Sequence, residues 1–247
     1  MAIALDVGPN QPRFFAIGGI ILLTQVSISA LNDWADRAAD RAAGRWRPIA
    51  MAMMTPRFAL GIAVIAAAGA VVATLPFGLA ASATLIAGIT AGWAYDLWLK
   101  PTAYSFVPFA VAFPLLVAWV ALIAGRPLIQ FGYLLAGGAV LAVGIHLADS
   151  LPDLDLDRAA GLRSLAVRLG RDRTLQTMLG CLFCGVMIAS ATLTSQTLLF
   201  WGLALLAIAG TAAAGVVARR RPVAARWAAS SLVIVAAVYV IRSSAHV

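Results

Sequence analysis

The sequence contains no glutamate, one lysine and two histidines, and charged residues make up only 11% of its 247 positions. A soluble domain carries roughly 25% charged residues, so a water-solvated globular surface is excluded. The net charge of +8 does not point to nucleic acid, because no soluble basic domain is present and most of the Arg sits between apolar runs. Cysteine is almost absent: Cys181 and Cys184 form a C-x-x-C inside an apolar run and read as core packing, not metal or redox chemistry. No Ser–His–Asp or Cys–His arrangement is visible, so chemistry through a protein nucleophile has no candidate. The first apolar run, near Phe14 to Leu31, has no small-residue cleavage site after it and reads as a membrane helix.

What is present is hydrophobic: 62% of the residues, with a mean hydropathy of +0.94. Several apolar runs reach about 20 residues, the length that crosses a bilayer as a helix. The reading is an all-α, polytopic membrane bundle of about eight transmembrane helices around a central cavity. It forms one membrane domain, 1–247, with pseudo-repeat halves at about 14–125 and 129–242. The eight expected spans are 14–31, 58–75, 77–98, 104–124, 129–148, 174–194, 197–217 and 225–242. Fifteen of the eighteen basic residues fall on one face under this scheme, which makes that face cytoplasmic and puts both termini outside. The expected location is the cell inner or plasma membrane.

Acidic residues do little to set topology, so their positions report on function. All ten are Asp, nine lie at the cytoplasmic face, and seven occupy two short segments. The first is Asn32-x3-Asp36-x3-Asp40 and the second is Asp149-x3-Asp153-x3-Asp157. Residues four apart on a helix share one face, here over roughly 12 Å. Asp33 and Asp155 would point elsewhere. Asp40-Arg41-Ala42-Ala43-Gly44 and Asp157-Arg158-Ala159-Ala160-Gly161 are the same pentapeptide, as expected of an internal repeat.

Clustered carboxylates repel unless a cation neutralises them. Mg²⁺ is hard, prefers oxygen, and is commonly held by carboxylates together with substrate phosphates. The expected site is therefore a Mg²⁺–diphosphate site. Arg45, Arg47, Lys100, Arg163 and Arg168 are placed to contact phosphate oxygens. Gln25, Ser29 and Asn32 fall at helical spacing and line a cavity leading inward from the carboxylates, with His146 a candidate for the same wall or for a satisfied structural role. Tyr95, Trp98, Tyr104 and Trp119 read as cavity walls or interfacial aromatics. Pro152, inside the second motif, predicts a kink or a fresh helix start.

The two motifs, with Arg47-Pro48 after the first and the stretch Gly161 to Gly170 after the second, resemble the UbiA superfamily of intramembrane prenyltransferases. Tyr95-Asp96-Leu97-Trp98-Leu99-Lys100 is similar to a third stretch characteristic of that family. The resemblance covers roughly residues 20 to 245. It implies a helical bundle with a lateral opening to lipid, with Asn32, Asp36, Asp40, Asp149, Asp153 and Asp157 as the metal ligands, Asp36, Asp40, Asp153 and Asp157 as the catalytic set, Asn32 and Asp149 also substrate-binding, and Lys100 and Arg47 at phosphate-contacting positions. It implies Mg²⁺-dependent ionisation of an allylic prenyl diphosphate and capture of the cation by an aromatic or other lipophilic acceptor within the bilayer. No protein partner is evident. The family usually has nine helices, with its first motif after the second; only one span precedes Asn32 here, so the family's first helix is expected to be missing. Three other activities share parts of this pattern. Phosphoribosyl transfer to a polyprenyl phosphate would use the same carboxylates. A CDP-alcohol phosphotransferase needs Gly where Arg37 stands. A cation transporter would place its carboxylates near mid-membrane, not at span ends.

Overall fold

The computed structural model describes residues 12–191, 197–221, 223–224 and 227–231. Among these residues the chain is predominantly helical, with turns and loops between helices, and has no strand. Eight helices are α1 (Pro12–Ala42), α2 (Pro56–Thr74), α3 (Leu79–Ala94), α4 (Val107–Ile123), α5 (Gly132–Ser150), the short α6 (Leu154–Ala159), α7 (Leu165–Ser190) and α8 (Thr197–Arg220). Seven of them fall on the first seven expected spans. The eighth, 225–242, lies outside the described residues except for 227–231. Among the described residues four segments are long and apolar enough to cross a membrane: Pro12–Ala42, Pro56–Phe77, Leu128–Ser150 and Leu165–Ser190. Val107–Ile123 is a shorter apolar helix. This is an integral, multi-pass membrane protein.

The helices pack through small residues, as they must where lipid removes most of the hydrophobic drive between them. On α2 the buried positions are Ala59, Ala63, Ala66, Ala70 and Thr74, one narrow stripe against its neighbours. Where α5 crosses α7, a Cβ added at Gly137 would lie 2.6 Å from the Ala189 amide nitrogen, so only glycine admits this approach. Two hydrophobic clusters result. One gathers Ile17, Ile20, Leu85, Ile89 and Trp119 from α1, α3 and α4; the other is built on α5 and α7 around Leu141, Leu147, Met178 and Leu182. Large apolar side chains such as Phe15, Ile65, Leu79 and Leu205 stand outward on the bundle, where only lipid would solvate them favourably. Cys184 also faces outward and Cys181 is half-buried, so the pair is less interior than the sequence suggested. Both thiols are free.

Three contacts fix how α1 and α3 lie side by side. The Trp93 indole donates to Ser27 Oγ at 3.1 Å, Asn32 meets Asp96, and Asp36 meets Lys100. Sequence numbers rise together along both helices, so α1 and α3 run parallel, with α2 returning between them. This brings the ends of α1 and α3 to the same end of the bundle.

Candidate active site

The first motif rides on a single uninterrupted helix. α1 has 31 residues, about 46 Å at 1.5 Å per residue, so its last turns stand beyond the apolar span. Asn32, Asp36 and Asp40 follow one another on its inner side. Asn32 Nδ2 donates to Asp96 Oδ1 at 2.9 Å. Asp36 is hydrogen-bonded by the Lys100 ammonium, which also lies 6.0 Å from the Tyr95 ring centroid. Asp40 is nearly buried and pairs with Arg45 at 3.5 Å.

The second motif does not lie on one helix face, contrary to the spacing argument. α5 ends at Ser150, residues 151–153 form a turn, and α6 starts at Leu154. Pro152 is the physical reason, because it can neither donate to the helix ladder nor let its predecessors continue it. Asp149 is exposed on the last turn of α5, Asp153 occupies the N-cap position of α6, and Asp157 lies within α6.

Arg45 ties the two motifs together. Its guanidinium reaches Asp153 at 3.0 Å and Asp40 at 3.5 Å, so residues 113 positions apart share one cation. Both motifs therefore sit at one end of the bundle. Arg163 joins them through its backbone: its amide donates to the Pro101 carbonyl at 3.0 Å, next to Lys100. Its side chain is exposed, as is that of Arg168. Asp33 and Asp155 take other partners. Asp33 meets Arg47 at 3.5 Å; Asp155 meets Arg171 at 2.8 Å and Arg158 at 3.6 Å. Arg47 is thus engaged beside the first motif instead of on its inner carboxylates.

Asp157 lies outside the membrane spans in an unbalanced electrostatic environment. Its carboxyl sits above the usual range, chiefly because it is partly buried and next because Asp153 is near; Lys100 and Arg45 oppose the shift, and Asp36 adds to it. Packed carboxylates of this kind favour a bound cation.

Among the described residues no three His, Cys or Asp side chains stand close enough together to enclose a metal ion as they are placed. Arg45 and Lys100 lie between the carboxylates and supply the positive charge. The donor set nonetheless fits Mg²⁺: it offers only oxygen, with neither thiolate nor imidazole at the cluster. Asp96 adds a sharper observation. The residue is 8% exposed, and its Oδ2 is buried without a hydrogen-bond partner.

Inward from the carboxylates lies a cavity of about 230 Å³ between α1, α3, α4 and α5. Gln25, Ile28, Leu85, Phe113, Trp119 and Ile145 are among its walls, so Gln25 is where the sequence placed it and Trp119 takes the cavity-wall alternative of its two readings; Ser29 and Asn32 are not in its lining. On α1 the cavity begins one turn beyond Asn32. Phe109 belongs to its wall and packs on Tyr95 at 5.0 Å and on His146 at 4.5 Å between ring centroids. His146 is buried, with Nε2 3.0 Å from Ser105 Oγ. Ser105 also accepts from the Leu165 amide at 3.3 Å. The histidine therefore knits α5 to the start of α7, the structural alternative of the two readings. Trp98 and Tyr104 are exposed at the same end, as interfacial aromatics are. Asp96 was visible in sequence as an acid inside a largely apolar stretch, a signal of function in its own right, but only the structure reveals its contact with Asn32.

A helical membrane bundle with an apolar cavity opening beneath paired carboxylate motifs is the class that fold and site define. The chain belongs to the UbiA prenyltransferase family, whose model matches residues 1–240. It is 29% identical over 170 residues to 4-hydroxybenzoate octaprenyltransferase of Ralstonia nicotianae, covering 66% of this chain and 56% of that protein. It is 32% identical over 183 residues to digeranylgeranylglyceryl phosphate synthase of Halobacterium salinarum, covering 68% of this chain and 61% of the other. The chain thus spans between half and two thirds of these curated relatives. Among solved structures, a UbiA homolog from Archaeoglobus fulgidus bound to GPP and Mg2+ superposes with a TM-score of 0.76 at 16% identity, covering 98% of this chain and 93% of that one. At that identity the likeness establishes the fold.

Proposed function

We propose that this protein transfers a prenyl group from an allylic prenyl diphosphate to an aromatic or other lipophilic acceptor within the membrane. The observation that carries the reading is the Arg45 bridge, which joins Asp40 of one motif to Asp153 of the other at the mouth of an apolar cavity. The diphosphate-bearing relatives and the aromatic and lipid acceptors named among them support the same direction.

Asn32, Asp36, Asp40, Asp149, Asp153 and Asp157 would hold Mg²⁺ with the diphosphate. Bound there, Mg²⁺ supplies charge neutralisation of the diphosphate leaving group. Lys100 and Arg45 release their carboxylates and turn to phosphate oxygens, which as polyanions compete well for them. The apolar cavity takes the hydrocarbon chain and keeps water from the allylic carbon. As the carbon–oxygen bond breaks, its electron pair leaves with the diphosphate. The acceptor's nucleophilic atom then forms the new bond to carbon and gives up its proton. The carboxylate end faces the cytoplasm in this reading, following the basic-residue asymmetry.

The test is transfer by the purified protein in detergent, with radiolabelled prenyl diphosphates and a panel of acceptors, before and after exhaustive chelation. Turnover is expected with a prenyl donor, lost on chelation and restored by Mg²⁺. Undiminished turnover after chelation would sink the mechanism. Transfer from phosphoribosyl diphosphate, and from no prenyl donor, would replace the reading with the phosphoribosyl one, which the apolar cavity disfavours.

A further inference from the structure

Asp96 is a buried carboxylate that the transfer mechanism leaves without a task. It lies in the π-turn Tyr95–Leu99 that ends α3, a kind of helix distortion often found at functional sites. One of its oxygens accepts from the Asn32 amide nitrogen at 2.9 Å; the other has no hydrogen-bond partner although the residue is almost wholly enclosed. A buried carboxylate with half its acceptor capacity unused is a poor structural element, because burial without hydrogen bonds is costly.

The chemistry of Asn32 explains its use. An asparagine side chain carries one oxygen and one amino group, on opposite sides of the same carbon, and can present either by a half-turn. Only the oxygen can bind a hard cation. An ionised carboxylate accepts and cannot donate, so Asn32 must turn its nitrogen toward Asp96. Its oxygen then faces away from Asp96. Asp36, the next residue on this side of α1, is held in the same manner by Lys100 from the same turn. α3 thus presents two successive rungs to α1, an acid against the amide and a base against the acid.

We propose that Asp96 is a positioning residue for the cation site, fixing the Asn32 amide so that its oxygen is the atom offered to the metal. The inference rests on the Mg²⁺–diphosphate reading of the site. It assigns Asp96 no contact with the reacting atoms.

The experiment uses the full chain in detergent, with Mg²⁺ and inorganic diphosphate as the probe and thermal stabilisation as the readout. Asp96→Asn, which leaves the Asn32 amide free to turn either way, is expected to need about tenfold more Mg²⁺ for half-maximal stabilisation, the usual scale for loss of an outer partner to a metal ligand. Its ligand-free melting temperature should match the parent's. The exchange Asn32→Asp with Asp96→Asn restores a donor–acceptor pair and leaves one oxygen of residue 32 for the cation. It should return the Mg²⁺ requirement to within about threefold of the parent, and it carries the test if Asp96→Asn alone does not fold. An unchanged Mg²⁺ requirement in Asp96→Asn, whether or not its ligand-free melting falls, overturns the proposal. So does an exchange variant no better than the single one. If the parent itself gains no stability from Mg²⁺ and diphosphate, the transfer reading fails, and this inference with it.

Discussion

The two carboxylate motifs have the same spacing and end in the same five residues, yet the backbone carries them in different ways. Asn32, Asp36 and Asp40 project from one continuous helix, whereas Asp149, Asp153 and Asp157 are divided among a helix end, a cap and a short second helix. What the two share is their termination. Gly44 and Gly161 both adopt positive φ, 60° and 75°. In each, the glycine amide donates to the arginine carbonyl of the pentapeptide (3.2 and 3.1 Å), and the next amide donates to the aspartate carbonyl (2.9 and 3.0 Å). These are two Schellman caps. The repeated pentapeptide is a helix stop that places the last carboxylate of each motif two positions before the last helical residue, Ala42 or Ala159. The first motif lies on one unbroken helix; the second gains its shape from a proline break.

The largest expected effect comes from removing the carboxylate at the centre of either motif. Asp36→Ala and Asp153→Ala should each lower turnover about a thousandfold, equivalent to roughly 4 kcal/mol of transition-state stabilisation, while the protein stays folded. If one variant retains parental turnover, the two motifs do not contribute alike and that aspartate leaves the site. Stopped assays beside a melting curve separate the two outcomes.

Breaking the difference itself is the second test. Pro152→Ala removes the block to helix continuation, so α5 should extend toward Asp157 and swing Asp153 away from Arg45. A tenfold to hundredfold loss of turnover is expected, in the range that misplacement by about 1 Å produces. Ligand-free stability should hold or rise, since alanine favours a helix by up to about 3 kcal/mol over proline. Full activity would mean that the break at 151–153 is not needed to shape the second motif.

These contrasts mark how much the sequence could reveal. Span positions and the shared end of both motifs followed from hydropathy and from the Arg distribution, because lipid leaves so few alternatives. The pairing of Asn32 with Asp96 and of Asp36 with Lys100 did not, since it depends on the register between α1 and α3, set by Ser27, Trp93 and the close approach of Gly92 to Ile28. The reach of Arg45 across to Asp153 depends equally on the cap at Gly44, which turns the chain back over the helix end. Equal spacing alone would put the three aspartates of the second motif on one helical face; Pro152 signals the break that separates them, and α6 starts two residues after it.

A smaller effect tests whether the two caps are equivalent. Gly44→Ala and Gly161→Ala each force a side chain into left-handed backbone, at a cost of about 1 kcal/mol. No heavy atom lies within 4 Å of the added Cβ at either position, so the cost is conformational in both. Similar drops in melting temperature are expected. A drop confined to Gly44→Ala would show that only the longer helix depends on its stop.

The smallest effect concerns Asp157, whose carboxyl is held above its ordinary value of 3.8 by burial first and by Asp153 second. The sign has two parts. Between the unfolded and folded values the native state binds the extra proton, so ligand-free stability should rise as pH falls through that window. The same proton competes with a cation, so the Mg²⁺ concentration for half-maximal turnover should rise over the same window, by a few-fold. Acid therefore strengthens the empty fold and weakens its hold on metal, and the two trends are measured by melting curves and Mg²⁺ titrations from about pH 8 to about pH 4. Asp157→Asn should flatten the first trend and raise the Mg²⁺ requirement at neutral pH. If the variant keeps the parent's acid dependence of Mg²⁺, another carboxylate of the cluster takes the proton, and the short helix after Pro152 is not where the two motifs differ in acid.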